Sequence, residues 1–184
     1  MSLLEVQHLG NCIRIPFNYH GKRIWASFDA DDEQRIRQWV GRKRLGYRRG
    51  GYDGDRNHIY PSVYMGHGSI PICRLLLGVS GGDQQVDHVD GNTLNNRRSN
   101  LRRATSQQNA FNQCKRQGCT SRFKGVFWRK NRSRWCAMLC LGYRNIYLGS
   151  FTEESDAARA YNIAACTYFG EFARINDLEA THGT

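Results

Sequence analysis

The sequence predicts an α+β fold in two parts. An N-terminal part ends in two short strands and a helix, and a small three-stranded antiparallel sheet packed on one helix follows it. Three observations predict this. Short runs with partial apolar–polar alternation recur along the chain, bounded by Gly- and Asn-rich turns. One strong 3.6-residue stripe, "TEESDAARAYNIAACTYFG", follows three such runs near the C-terminus. The content of Ala, Val, Ile, Leu, Met, Phe, Trp, Tyr and Cys is 40% over 184 residues, enough for one domain or two small ones, each with a modest core.

The elements follow in order. "NCIRIPF" and "KRIWASF" read as strands joined by a hairpin turn in "NYHGK". "DADDEQRIRQWV" starts a helix, with Asp29, Asp31 and Asp32 complementing its N-terminus and Ile36, Trp39 and Val40 on one face. "LGYRRGGYDGDRN" suits a hairpin tip, and "HIYPSVYM" a strand. "IPICRLLLG" reads as a short apolar helix stopped by Gly78. "QQVDHVDG" is a strand turning at Asp90-Gly91, "NTLNNRRSN" a loop, "LRR" a brief extended piece. "ATSQQNAFNQC" starts a helix capped by Thr105 or Ser106. "KRQGCTS" reads as a linker. "FKGVFWRK", "RWCAMLCLG" and "NIYLGSF" are three strands. In the last helix Thr152 is the expected cap, Gly170 the stop, and Ala157, Ala158, Tyr161, Ala164, Ala165 and Tyr168 the buried stripe.

Charge narrows the partners. From Gly91 to Thr152 there is no acidic residue and there are 13 Lys or Arg, whereas the rest of the chain holds 14 basic and 16 acidic residues. A one-signed middle third is the footprint of a polyanion, most simply nucleic acid. No run of 18 apolar residues occurs, so no membrane span is expected, and the N-terminus lacks the basic-then-apolar pattern of a secretory signal. Seven cysteines without a C-x-x-C pair suit reduced thiols in a cytosol.

Phosphodiester hydrolysis needs a base to activate water, a divalent cation at the phosphate, and positive charge around the strand. His88 titrates near neutrality and suits the base. Asp87 offers an oxygen ligand of the type that Mg²⁺ prefers, and the turn at Asp90-Gly91 would let neighbouring strand residues reach one site. Asn109, on the following helix, offers a carbonyl oxygen, and Asn100 can hold a loop by bonding backbone groups.

The pattern D-H-x-D-G-N, then L-N-N-R-x-x-N-L-R, then A-T-x-x-Q-N, resembles the HNH class of ββα-metal endonucleases, above all homing endonucleases of phage and introns. The match is strong over residues 73–112 and extends weakly back to about residue 12. The resemblance implies a nuclease domain over 1–115. His88 would be its general base, Asp87 and Asn109 its ligands for Mg²⁺ or Mn²⁺, and Asn100 the brace of the loop carrying His88. Asn92, Asn95 and Asn96 would be structural. The pattern departs from relatives at Cys73, where many have His. Arg97, Arg98, Arg102 and Arg103 are expected to neutralise phosphates.

A linker at 116–120 precedes a second resemblance. K-G-V, R-W, Y-L-G-S-F, E-E-x-D-A-A-R-A-Y and G-E-F-A-R-I-N, over residues 121–176, are similar to the Apetala-two or ethylene-response-factor DNA-binding domain, with 177–184 as a tail. Trp135, Ala137, Leu139, Leu141, Ile146 and Leu148 should face the helix. The other face would carry Arg134, Met138, Asn145 and Tyr147, with Arg129, Lys130 and Arg132 at the turn. Basic and aromatic side chains on an open sheet suit DNA, so Arg129, Lys130, Arg132, Arg134, Asn145 and Tyr147 are expected to contact it; the resemblance implies such a role for Lys124, Arg129, Arg134 and Tyr147. Phe127, Met138 and Cys140 replace charged residues of plant members, so the plant target is not implied.

The combined expectation is a site-directed endonuclease of homing type acting on double-stranded DNA, nicking or cutting both strands, with a monomer favoured and a cytoplasmic setting in a bacterium or a phage-infected host. A non-catalytic DNA-binding regulator with a decayed nuclease domain is the alternative. A zinc-stabilised structural or RNA-binding protein is a third reading, with a poor cysteine pattern. His8, His20, His58, His67 and His182 are isolated and read as ordinary.

Overall fold

The computed structural model describes residues 4–41, 45–50, 58–66, 68–115 and 118–179. The expected hairpin tip after Gly50, His67, His182, two linker positions and the end of the tail lie outside the described residues. The fold is α+β, built from small antiparallel sheets and short helices. The chain divides into two compact units, 1–106 and 107–184.

The first unit opens with strands β1 (Gln7–Leu9), β2 (Cys12–Tyr19) and β3 (Lys22–Asp29), paired in that order. His20 and Gly21 make the β2–β3 turn, both with positive φ (46° and 75°), the two-residue geometry that follows the right-handed strand twist. Period-two alternation sends Ile13, Ile15 and Phe17 inward from β2, and Ala26 and Phe28 from β3. Helix α1 (Glu33–Val40) adds Ile36 and Val40 to the same core, with Trp39 packed at its edge. A second antiparallel sheet holds β4 (Leu45–Gly50), β5 (His58–Tyr64) and β6 (Ser69–Pro71). Helix α2 (Ile72–Leu77) then ends on Gly78, which is left-handed at φ 63° as a helix C-terminus favours. A two-stranded ribbon follows, β7 (Gln85–His88) against β8 (Leu101–Ala104).

Helix α3 (Ser106–Asn112) starts at the expected place, and from Gln107 it groups with the second unit. There its Phe111 ring stacks on Phe169, centroids 3.7 Å apart. The sheet of this unit is β9 (Val126–Arg129), β10 (Arg134–Leu141) and β11 (Arg144–Phe151), with β10 central. It packs on α4 (Glu154–Phe169). The inward sets are those the alternation predicts: Trp135, Ala137, Leu139, Leu141, Ile146 and Leu148 all lie in the two clusters formed with α4. The β10–β11 register shifts between Ala137 and Met138, so Gly149 opposes Ala137 and Tyr147 opposes Met138, a bulge that leaves Leu148 without a direct partner.

Two local expectations are corrected. The cap position of α4 is Glu153 rather than Thr152, whose Oγ1 instead accepts from Arg134 Nη1 at 2.6 Å. Phe169, not Tyr168, closes the buried stripe; Tyr168 is exposed, because Ala165 and Phe169 stand four apart on the face that meets the sheet. The K-G-V motif has a packing reason. Gly125 has φ 74°, and a Cβ there would lie 2.1 Å from the Tyr161 ring and 2.7 Å from Met138 O. The closing R-I-N motif has one too. Asn176 exchanges hydrogen bonds with the Lys124 backbone (2.7 and 3.1 Å) and with the Asn162 side chain (2.7 and 2.9 Å), tying the start of the sheet to α4.

Candidate active site

The β7–β8 ribbon puts Asp87 opposite Arg102 and His88 opposite Leu101. Asp87 and His88 are only 3% and 4% exposed, so both polar side chains need partners within the protein.

The turn that follows is built from its amides. Asp90 Oδ1 accepts from the backbone N–H of Asn92 (2.7 Å) and from Asn100 Nδ2 (2.8 Å), and Asp90 Oδ2 accepts from Asn95 Nδ2 (2.8 Å). Asn100 Oδ1 accepts from Asp90 N–H at 3.0 Å, and its Nδ2 also reaches Asn95 O at 2.8 Å. The Gly91 N–H closes onto His88 O at 2.8 Å, and Val89 N–H onto Asn100 O at 2.9 Å. These bonds replace a regular hairpin with a side-chain scaffold around the end of β7. Burial works to raise the Asp90 carboxyl, but the Asn95, Asn92 and Asn100 donors outweigh it and hold it below the ordinary carboxylate value.

The loop is pinned at its far side as well. Ser27 N–H donates to Leu94 O and Asn96 N–H to Ser27 O, both at 2.8 Å, which attaches the loop to β3. Thr93 Oγ1 donates to Ile59 O at 2.8 Å. Asn96 is 1% exposed. Its Nδ2 donates to Thr93 O at 3.2 Å, and its Oδ1 lies 3.2 Å from His88 Nε2. Burial lowers the His88 pKa; the Asn96 bond and the Asp90 and Asp87 charges oppose this and do not cancel it. The Tyr60 ring lies 6.1 Å from the imidazole.

The arginines are engaged within the fold. Arg102 reaches Asp87 Oδ2 through Nε at 2.8 Å and Nη2 at 2.6 Å. Arg97 Nε donates to Asp29 Oδ1 at 2.9 Å, and Arg98 N–H to Asp29 Oδ2 at 2.8 Å. Arg98 forks onto Asp32 at 2.9 and 2.6 Å, and Arg103 Nη2 donates to Leu77 O at 2.6 Å. The sequence pattern assigned Asp29 and Asp32 to helix N-terminal charge. Neither makes a side-chain cap bond, and both serve as counterions for the "NNRR" stretch. Burial would raise the Asp29 carboxyl, but the Arg98 N–H and the Arg97 guanidinium outweigh it and hold it low. The signal was legible: an acidic run of Asp29, Asp31, Asp32 and Glu33 in a basic chain.

Asn109 lies on α3 within the second unit. Cys73 is a buried core residue beside Ile72 and Leu76, and burial pushes its thiol up to about 12. Among the described residues no three of His, Cys, Asp and Glu gather as a metal cluster. His8 meets Glu33 at 3.4 Å, and His20 packs edge-on against Tyr19, which also meets Tyr47.

In the second unit, Arg129 and Arg134 are cross-strand neighbours. Like charges in that position repel each other, and an anionic partner would relieve the repulsion. Lys130 and Arg132 continue the turn between them. Asn145 and Tyr147 are exposed on β11, opposite Cys140 and Met138. Lys124 is placed differently. Its ammonium donates to Phe111 O and Gln113 O, both at 2.6 Å, at the C-terminus of α3, and burial brings its pKa down to about 8.

Residues 72–111 match the HNH endonuclease family model. Curated relatives are similar over longer stretches. An uncharacterized HNH endonuclease of Acanthamoeba polyphaga mimivirus is 38% identical over 105 residues, 57% of this chain and 54% of the relative. Protein 3.8 of Escherichia phage T7 is 42% identical over 50 residues, 27% of this chain and 41% of the relative. An AP2-like ethylene-responsive transcription factor of Arabidopsis thaliana is 34% identical over 98 residues, 53% of this chain and 28% of the relative. The matched stretches thus span about half the length of these relatives or less. No solved structure matches. Residues 72–111 are thus similar to HNH endonucleases, and the chain is similar in part to AP2-like transcription factors. Among the described residues no helix is long and apolar enough to cross a membrane.

Proposed function

We propose that the protein is a site-directed DNA endonuclease of the homing type, in which the domain around His88 cuts and the C-terminal domain holds it on its target. One observation carries the reading. In the stretch that matches the HNH endonuclease family, His88 is buried beside Asp87 at the end of a strand whose turn is braced by Asn100. Such a rigid polar turn holds a base in a fixed position, which is what attack in line on phosphorus demands.

His88 accepts a proton from the attacking water. Its lowered pKa keeps the imidazole neutral, and therefore basic, at neutral pH. Asn100 positions the turn. By resemblance, Asp87 and Asn109 would each offer a hard divalent cation an oxygen, one from a carboxylate and one from an amide carbonyl, the small protein share that Mg²⁺ or Mn²⁺ takes. When bound there, the cation supplies charge stabilisation at the scissile phosphate and its leaving oxygen. By resemblance the products carry a 5′-phosphate and a 3′-hydroxyl, whether one strand or both are cut. The partner is double-stranded DNA, the chain acts as a monomer, and the setting is the cytoplasm of a bacterium or phage-infected host.

Target holding is assigned to the Arg129–Arg134 edge, to Lys130 and Arg132, to Asn145 and Tyr147 on the open sheet face, and to Lys124. Arg97, Arg98, Arg102 and Arg103 lend positive charge near the cleaved strand. Tethering a weakly specific cutter to a sequence reader raises its local concentration at one site.

A second reading, a DNA-binding regulator with a decayed nuclease domain, is favoured by the Asp87–Arg102 pair and by Cys73 in the core. Supercoiled plasmid carrying candidate target DNA separates the two. Conversion to nicked or linear DNA that needs Mg²⁺, stops with EDTA and disappears in His88→Ala supports the nuclease. Salt-sensitive binding with no conversion supports the regulator.

A further inference from the structure

Resting on the nuclease reading, we propose that Asn96 is the positioning residue for the base: it fixes His88 as the Nε2–H tautomer, so that the lone pair that takes the proton from water is on Nδ1.

A neutral imidazole has one donor nitrogen and one acceptor nitrogen, and the partner of either decides which is which. The partner of Nε2 is the Asn96 amide. An amide presents oxygen on one side and NH₂ on the other, and its second contact decides the orientation. That second contact is Thr93 O, at 3.2 Å. A backbone carbonyl only accepts, so the NH₂ group must face Thr93. The side-chain oxygen therefore faces His88, and since it too can only accept, Nε2 must carry the hydrogen.

Each of these groups is itself held in place. Asn96 is held through its own backbone N–H to Ser27 O, and Leu94 O accepts from Ser27 N–H, so the loop is clamped to β3 by two backbone bonds. Thr93 is held by its hydroxyl bond to Ile59 O. Flipping the amide would set oxygen against Thr93 O. Placing the hydrogen on Nδ1 would set a lone pair against Asn96 Oδ1. With Asn96 at 1% and His88 at 4% exposure, water is not there to repair either mismatch. A nucleophile-activating base oriented by a third polar group is a recurrent catalytic arrangement, and here the third group is an amide eight residues along the same loop.

The test begins with the wild-type full chain, labelled with ¹⁵N-histidine, free of metal and at mildly alkaline pH. Long-range ¹H–¹⁵N correlation spectra report the tautomer, with His88 assigned by its loss in His88→Ala. A protonated Nε2 with an unprotonated Nδ1 is expected; an Nδ1–H species or a rapid average of the two overturns the proposal. Plasmid cleavage then compares Asn96→Asp, which keeps an acceptor for Nε2–H, with Asn96→Leu, which does not. The leucine variant should lose about 10²-fold in kcat, within the range a general base contributes, with KM for DNA unchanged and no further loss when combined with His88→Ala. The aspartate variant sets an oxygen against Thr93 O and so should lose stability, but it should keep the wild-type tautomer and lose clearly less rate than the leucine variant. Equal losses in both variants with an unaltered tautomer would make Asn96 purely architectural and overturn the positioning role. The spectra need no cleavage, so an inert wild-type protein with the Nε2–H tautomer overturns the nuclease reading separately from the tautomer assignment. If the leucine variant does not fold, the wild-type spectrum and the aspartate variant still decide.

Discussion

Arg102 and Asp87 face each other across the β7–β8 ribbon, and both guanidinium contacts, 2.8 and 2.6 Å, converge on one carboxylate oxygen. The pair gives a nearly buried carboxylate a charged partner, since an isolated buried charge is strongly disfavoured. It also sets a balance: the guanidinium occupies ground that a cation would share.

Arg102→Met should therefore cost about 3 kcal/mol in urea unfolding, because it takes the guanidinium away from a buried carboxylate. Millimolar Mg²⁺ or Mn²⁺ should recover part of that loss in the variant and shift the wild type less. A variant as stable as wild type would show the pair to be dispensable, and one that the metal does not rescue would count against Asp87 as a ligand.

The Arg98–Asp32 fork should behave as a coupled unit. Asp32 is buried and Arg98 half-exposed, so Arg98→Ala should cost about 2 kcal/mol. In the double variant Arg98→Ala with Asp32→Leu, most of that loss should return, since the stranded carboxylate is gone. A double-mutant cycle by chemical unfolding measures the coupling, and strict additivity of the two losses would remove the pair from the account of the loop.

His88 links stability to pH. Its pKa in the folded chain lies below the ordinary 6.5, so the unfolded chain takes up the proton first on acidification. Stability is then full above the ordinary value and falls as pH drops through it towards the depressed folded value. Urea midpoints measured in EDTA from mildly alkaline to mildly acidic pH should show this slope, and His88→Ala should flatten it. An equal slope in the variant would assign the effect to other groups.

Gly125→Ala should be the most damaging single-methyl change in the second unit. The added Cβ meets the Tyr161 ring and Met138 O well inside contact distance, at a backbone angle that L-residues avoid. A loss of more than about 3 kcal/mol is expected, visible as an early thermal transition by circular dichroism. A near-normal transition would mean that Tyr161 can move out of the core at little cost.

Much of this molecule follows from local pattern. The β2–β3 turn, the α2 stop at Gly78, the ββα order of the HNH stretch and the inward faces of β10 and β11 all rest on two periodicities and on turn chemistry, which neighbouring residues specify by themselves. The bracing of the turn by Asn100 was legible too, since amides in a loop seek backbone groups. What local pattern could not contain were pairings between distant segments. Asp29 and Asp32 take Arg97 and Arg98 from 66 to 69 residues away. Lys124 turns from the sheet to the carbonyls of α3, Phe169 displaces Tyr168 from the core, and Asn96 meets His88. The physical reason is the same in each case. A sequence states which groups can donate, accept or be buried, and burial in the folded chain decides which partner each one must find, because an unpaired buried polar group costs more than the bond it lacks.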